Sequence, residues 1–231
     1  MVNNLPKRMD QYLDIDKIYD VVEPPLLFTR PHLLFTDPIP PALHGQNPRT
    51  IKGREWWDIE RRKIYKVNNH HCFACGAWSI TVPIKHWLEA HEVYKVNIKT
   101  GKVILKEIVA LCYLCHNFIH IGRLSQVLHI NDMESSAIQI VEHGLNIVRE
   151  NNVKITNEHL AISEYILNKW IDRSLYKRRA SKIYALPWSS WYLYFEKKRY
   201  YSLFHNEIEW RRFYNSANQP HLDTSQESQD V

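Results

Sequence analysis

Residues 110–120 read ALCYLCHNFIH and place Cys112, Cys115, His116 and His120 within nine positions. Thiolates and imidazoles are the side chains that hold soft and borderline metal ions. The chain has four cysteines, and all of them fall into C-x2-C pairs, Cys72 with Cys75 and Cys112 with Cys115. In a chain without an export signal that arrangement points to metal rather than to disulfides. Four thiolates complete a tetrahedral shell and leave no position for water, so the predicted Cys72–Cys75–Cys112–Cys115 site is structural zinc.

The histidines are a separate matter. His116 and His120 are spaced i, i+4, which puts both rings on one face of a helix. His91 lies at the head of a β-rich run, where a neighbouring strand can bring it close. Three imidazoles with open positions form a catalytic type of site, suited to polarising a phosphate oxygen and activating water.

The elements that must position these groups follow from local pattern. Residues 1–50 hold eight of the eleven prolines, which predicts an extended or turn-rich arm. Residues 52–67 read as a helix with Trp56, Ile59, Lys63 and Val67 on one face. HCFACGAW is a tight knuckle in which Gly76 takes the backbone angle of a short loop. Residues 91–97 and 102–109 are β-rich runs joined by the turn IKTG, and they predict a hairpin. CHNFIHIGRL follows as a short helix, with Gly122 its terminator. Further helices are expected over the SSAIQIVEHGLNIVREN stretch, on Ile138, Val141, Leu145 and Val148 behind Asn131 and Asp132, and over residues 157–172, capped by Asn157. The aromatic and basic segment PWSSWYLYFEKKRYYSLF comes next. For Trp188, Trp191, Tyr192 and Tyr194 a place in the core is favoured over base stacking. The polar stretch from Asn215 reads as a disordered tail.

Composition is that of an ordinary globular protein, 45% hydrophobic and 24% charged with a net charge of +5. The positive charge is concentrated: residues 49–125 hold 13 Lys/Arg against 6 Asp/Glu. This is the footprint of a segment that meets a polyanion. Arg61, Arg62 and Lys63, and Lys177, Arg178 and Arg179, are the candidate phosphate contacts; the run Lys197–Arg199 beside Tyr200 and Tyr201 is a third. No eighteen-residue apolar run and no signal-type N-terminus are present, so no membrane partner and a cytoplasmic location are expected.

The segment WLEAHEVY…EIVALCYLCHNFIH, within residues 52–125, resembles the HNH endonucleases. Both knuckles and the C-H-x3-H tail occur in the family's order. The resemblance implies an α+β, treble-clef-like ββα-metal fold: a hairpin and helix around one divalent ion, with structural zinc alongside. It implies His91, His116 and His120 as ligands of that ion (magnesium, manganese or zinc). It puts Glu92 where the family has its water-activating histidine, and Glu107 where it has the central asparagine. His91 as the base with Glu92 or Glu89 as a ligand is the shifted alternative. The implied activity is hydrolysis of DNA phosphodiester bonds, double-stranded DNA being favoured, in a protein of phage, mobile-element or defence origin. The rivals are a non-catalytic zinc-stabilised nucleic-acid-binding module and a protein-interaction adaptor. The expected organisation is an arm (1–50), the ββα-metal domain (51–125), a helical region (126–214) and a tail (215–231).

Overall fold

The structure is a computed structural model that describes residues 22–36, 39–82, 85–120, 134–153 and 186–217. The predicted helix over 157–172, the basic residues Lys177, Arg178 and Arg179, and the helix signals Gly122, Asn131 and Asp132 lie outside these. The architecture is α+β, a four-stranded sheet with helices and a four-cysteine cluster.

The described part of the arm is extended and turn-rich, with 3-10 turns at Pro31–Phe35 and Pro41–Leu43. It is also packed: Leu33, Leu34, Ala42 and Leu43 are all buried. Asn68, fully buried, accepts from the amides of Leu27 and Phe28 and donates to the Phe28 carbonyl at 3.0 Å. Arg30 donates its amide to the Phe73 carbonyl inside the first knuckle.

Two helices follow, α1 (Pro48–Lys52) and α2 (Arg54–Val67), separated at Gly53. The Asn47 side chain caps α1 by accepting from the Thr50 amide at 2.9 Å. The buried face of α2 is one residue out of phase with the predicted one. Trp57 is buried and Ile64 and Tyr65 pack on the core, whereas Ile59 and Val67 are about half exposed. Trp57, Ile64 and Tyr65 satisfy the i, i+7, i+8 spacing, so the same amphipathic pattern turned about 100° is what the sheet selects.

The predicted hairpin is present and longer than the β-rich runs: β1 (Leu88–Asn97) pairs antiparallel with β2 (Lys102–Cys112). The register shifts between Val93 and Tyr94, a bulge that leaves Lys106 without a partner across the ladder. Helix α3 (Tyr113–Ile119) starts directly from the end of β2, and α4 (Glu134–Glu150) packs against it. In α4 the apolar stripe is Ile140, Val141, Leu145, Ile147 and Val148; Ile138, expected in it, is exposed.

The aromatic segment opens with a 3-10 turn at Trp188–Ser190 and is otherwise strand rather than helix. It forms a hairpin, β3 (Tyr192–Phe195) and β4 (Lys198–Tyr201), added to the sheet with β3 parallel to β2. The turn residues Glu196 and Lys197 both adopt positive φ, 48° and 63°, as the tight turn of a two-residue hairpin requires. Neither residue type advertises that turn, so the hairpin carried no local signal. Helix α5 (Glu207–Ala217) closes the described chain and runs three residues into the stretch read as a tail.

The core has two parts. The larger lies around the knuckles, α3 and α4. The smaller joins Ala42, Leu43, Tyr94, Val103, Trp191 and Leu193.

Candidate metal centre

The first knuckle follows α2. The amide of Gly76 donates to the Cys72 carbonyl at 2.9 Å, and the amide of Phe73 donates to the Ala110 carbonyl at 2.8 Å, which fastens the loop to β2. Gly76 has φ +76°, and a Cβ there would stand 2.9 Å from both Leu26 and Thr29. Only glycine meets both conditions. The second knuckle is the junction of β2 and α3, where Cys112 is the N-cap and its sulfur accepts from the Cys115 amide at 3.5 Å. In the same way the Cys75 sulfur accepts from the Ala77 amide at 3.5 Å.

The four sulfurs lie within 4.8 Å of one another, and Cys72, Cys112 and Cys115 are fully buried. The Cys75–Cys112 sulfur separation of 3.8 Å is far outside a disulfide bond. Burial pushes the Cys72 thiol up, but hydrogen bonds from Cys112, Cys115 and Cys75 outweigh it and hold Cys72 well below its usual range. The same contacts, led by Cys112, push Cys115 well up. Four thiolates crowded in this way cannot ionise together unless a cation stands among them. The donor set therefore fits a structural metal such as zinc. His143 on α4 places its Nε2 3.4 Å from the Cys115 sulfur. Sequence reasoning missed it, because one histidine beside an apolar stripe is an ordinary helix residue.

Three imidazoles converge next to this site. His91 comes from β1, His116 and His120 from α3 and its C-cap. Their ring centroids are 5.2, 4.9 and 4.7 Å apart, and one ligand nitrogen from each lies within 4.8 Å of the others. His120 Nε2 is 3.2 Å from His91 Nδ1. Cys115 and His116 are consecutive on a helix and so project about 100° apart, which is how one short segment serves two sites. Burial and the charges of His116 and His120 hold His91 down at about 2, so this ring is neutral and able to bind a cation. His116 and His120 are partly exposed, which leaves the group a solvent side.

The carboxylates divide between the two faces of β1. Glu89 shares the face of His91 and contacts His116 Nδ1, leaving Nε2 of that ring to face an ion; Lys85 stands 3.8 Å from the same carboxylate. Glu92 leaves on the opposite face, with Tyr94. Burial raises the Glu92 carboxyl, and the charges of His116 and Arg49 partly offset it. Among the described residues the converging ligand groups are the four cysteines and the three histidines, and Glu92 is in neither. Glu107 is held away by Arg30 in a two-pronged pair, with contacts of 2.9 to 3.0 Å. The Arg30 guanidinium also lies 5.2 Å from the Phe73 ring centre.

Of the basic candidates, Arg61 is engaged by Asp58 at 2.6 Å and Lys63 by Glu60 at 2.6 Å, while Arg62 is exposed. The fold and these two groups define an α+β protein with a four-cysteine cluster and a separate three-histidine cluster, both positioned to bind metal. No protein-family model, no curated protein and no solved structure matches the chain. No helix among the described residues is long and apolar enough to cross a membrane.

Proposed function

We propose that this chain is a metal-dependent endonuclease of the HNH type that hydrolyses DNA phosphodiester bonds. The observation that carries the reading is the convergence of His91, His116 and His120 at a hairpin–helix junction, beside a thiolate site that is closed to chemistry. His91, His116 and His120 would hold a divalent ion, which would supply positive charge to the scissile phosphate and the departing oxygen.

The chain's own residues do the rest. His91 stays neutral because it is buried among two other imidazoles. Glu89 fixes the ring plane of His116 through Nδ1. Glu92 is the proton acceptor of the proposal. A carboxyl raised by burial is a stronger base once ionised. β1 is an edge strand, and Glu92 lies near enough to His116 for that ring's charge to act on its carboxyl. The zinc site holds the knuckles, and through them the start of α3, in place.

One observation favours a second reading, a zinc-stabilised nucleic-acid-binding module without catalysis. Glu107, at the family's asparagine position, is bound to Arg30 instead of lying free for the site. Plasmid nicking with zinc-loaded protein and added Mg, Mn or Ni separates the two. Cleavage that disappears in Glu92→Gln supports the base assignment, and cleavage unchanged in Glu92→Gln returns the role to His91. A folded wild-type protein that nicks with none of these metals refutes the enzyme.

A further inference from the structure

The half of the sheet away from the knuckles has two unlike faces. One is core, with Tyr94, Val103 and Leu193 buried. Strand alternation puts a different set on the other face: Lys95 of β1, Lys102 of β2, Tyr192 and Tyr194 of β3, and Arg199 and Tyr201 of β4. The register sets Lys102 beside Tyr192, Tyr192 beside Tyr201 and Tyr194 beside Arg199. All six side chains are partly or fully exposed.

Cations and rings alternate across this face. The Lys102 ammonium lies 4.5 Å from the centre of the Tyr194 ring, and the Arg199 guanidinium lies 5.0 Å from that of Tyr192. The rings of Tyr192 and Tyr201 are 5.6 Å apart. At the described strand positions between this patch and His91, the carboxylate on the same face is Glu107, neutralised by Arg30. A packing role would turn the tyrosines inward, but Trp191 and Leu193 take those places and are 1% and 0% exposed.

We propose that this face binds an unpaired nucleic-acid strand, with bases stacked on Tyr192, Tyr194 and Tyr201 and phosphates held by Lys95, Lys102 and Arg199. The charge selects a polyanion, and the rings select one whose bases are not already stacked in a duplex. An acidic peptide would satisfy the cations and leave the rings without a partner. The inference rests on the nucleic-acid reading above and puts an unpaired strand in place of the double-stranded DNA that the resemblance favours. Lys95 and His91 share a face of β1 four residues apart, about 13 Å along the strand. A strand lying on the tyrosines is thus led toward the imidazoles.

The test is fluorescence anisotropy of a labelled short oligothymidine with the full-length, zinc-loaded protein and no added Mg or Mn. A denaturing gel checks that the oligonucleotide stays intact, so binding is scored without hydrolysis. Expected are salt-sensitive binding and a duplex competitor at least about tenfold weaker than the single strand. The double change Tyr192→Ser, Tyr194→Ser should lose about 10- to 100-fold in affinity, and Tyr194→Phe, which keeps the ring, should stay near wild type. Lys102→Glu, a surface change, keeps the proposal testable if the double variant does not fold, and it should weaken binding and flatten the salt slope by about one ion. Failure of the wild type to bind, equal competition by duplex or by polyglutamate, or unchanged binding in Lys102→Glu overturns the proposal. A protein that nicks plasmid yet ignores oligothymidine refutes this inference alone; one that binds oligothymidine and never nicks refutes only the hydrolysis.

Discussion

Gly144 sits in the interior of α4, where glycine weakens a helix by about 1 kcal/mol relative to alanine. Its presence is explained by Phe118 of α3. A Cβ at position 144 would stand 2.1 Å from Phe118 Cδ2 and 2.4 Å from two further ring atoms. The ring has no easy retreat, because Phe35 packs edge-on against it at 6.2 Å. Gly144→Ala therefore forces α3 and α4 apart by more than the few tenths of an ångström that side chains absorb. Overpacking of this kind costs about 1 to 3 kcal/mol. The clash is severe, so we place it at the upper end and subtract the gain in helix propensity, leaving a net loss of about 2 kcal/mol. Urea unfolding of the zinc-loaded protein reads this as a midpoint lower by about 1 M, at an m-value of about 2 kcal/mol/M. Phe118 lies between His116 and His120 on α3, so the same variant should also loosen metal at the histidine group. Adding Phe118→Leu should recover part of the loss, since the smaller side chain vacates the contested space. Equal or greater stability of Gly144→Ala would refute the packing argument.

Three further outcomes follow from the same structure. His91 is held at about 2 in the folded chain against an ordinary 6.5, so the unfolded chain takes up the proton first. Its contribution is complete above pH 6.5 and is lost as the pH falls toward 2. Between pH 6.5 and 4.5 the metal-free histidine group should lose about 2 kcal/mol, and urea titrations at both values should show a smaller drop in His91→Gln. Lys197→Gly relieves a positive φ of 63° in the β3–β4 turn and should raise stability by about 1 kcal/mol, read from the thermal midpoint. Arg30→Met removes the pair to Glu107 and the contact with Phe73, both partly exposed, and should lower stability by about 1 kcal/mol by urea titration.

The parts legible in the sequence were those with short-range rules. C-x2-C fixes a knuckle, i, i+4 fixes two rings on one helix face, and alternating β-branched residues fix a hairpin. His91, His116 and His120 were therefore found before their rings were seen 4.7 to 5.2 Å apart. What escaped depended on partners distant in the chain. The face of α2 was misassigned by one residue because Trp56 and Trp57 are both large and apolar, and only the sheet beneath selects Trp57. The β3–β4 hairpin escaped because Glu196–Lys197 is not a turn sequence. Tyr192 and Tyr194 were weighed as core with Trp191, whereas alternation along β3 separates them from it. The Arg30–Glu107 pair spans 77 residues and has no local trace.

The central claim is that one segment serves two metal sites, a closed thiolate site and an open imidazole site. Metal analysis of the purified wild type, of Cys75→Ser and of a His116→Ala, His120→Ala double variant tests it most directly. The account predicts about one tightly held zinc plus a weaker divalent ion in the wild type. The double histidine variant should keep the tight zinc and lose the weak ion, while Cys75→Ser should lose the tight zinc and the folded α3 with it. A histidine variant that binds as much metal as the wild type, or one that gives up the tight zinc while still folded, would contradict the division.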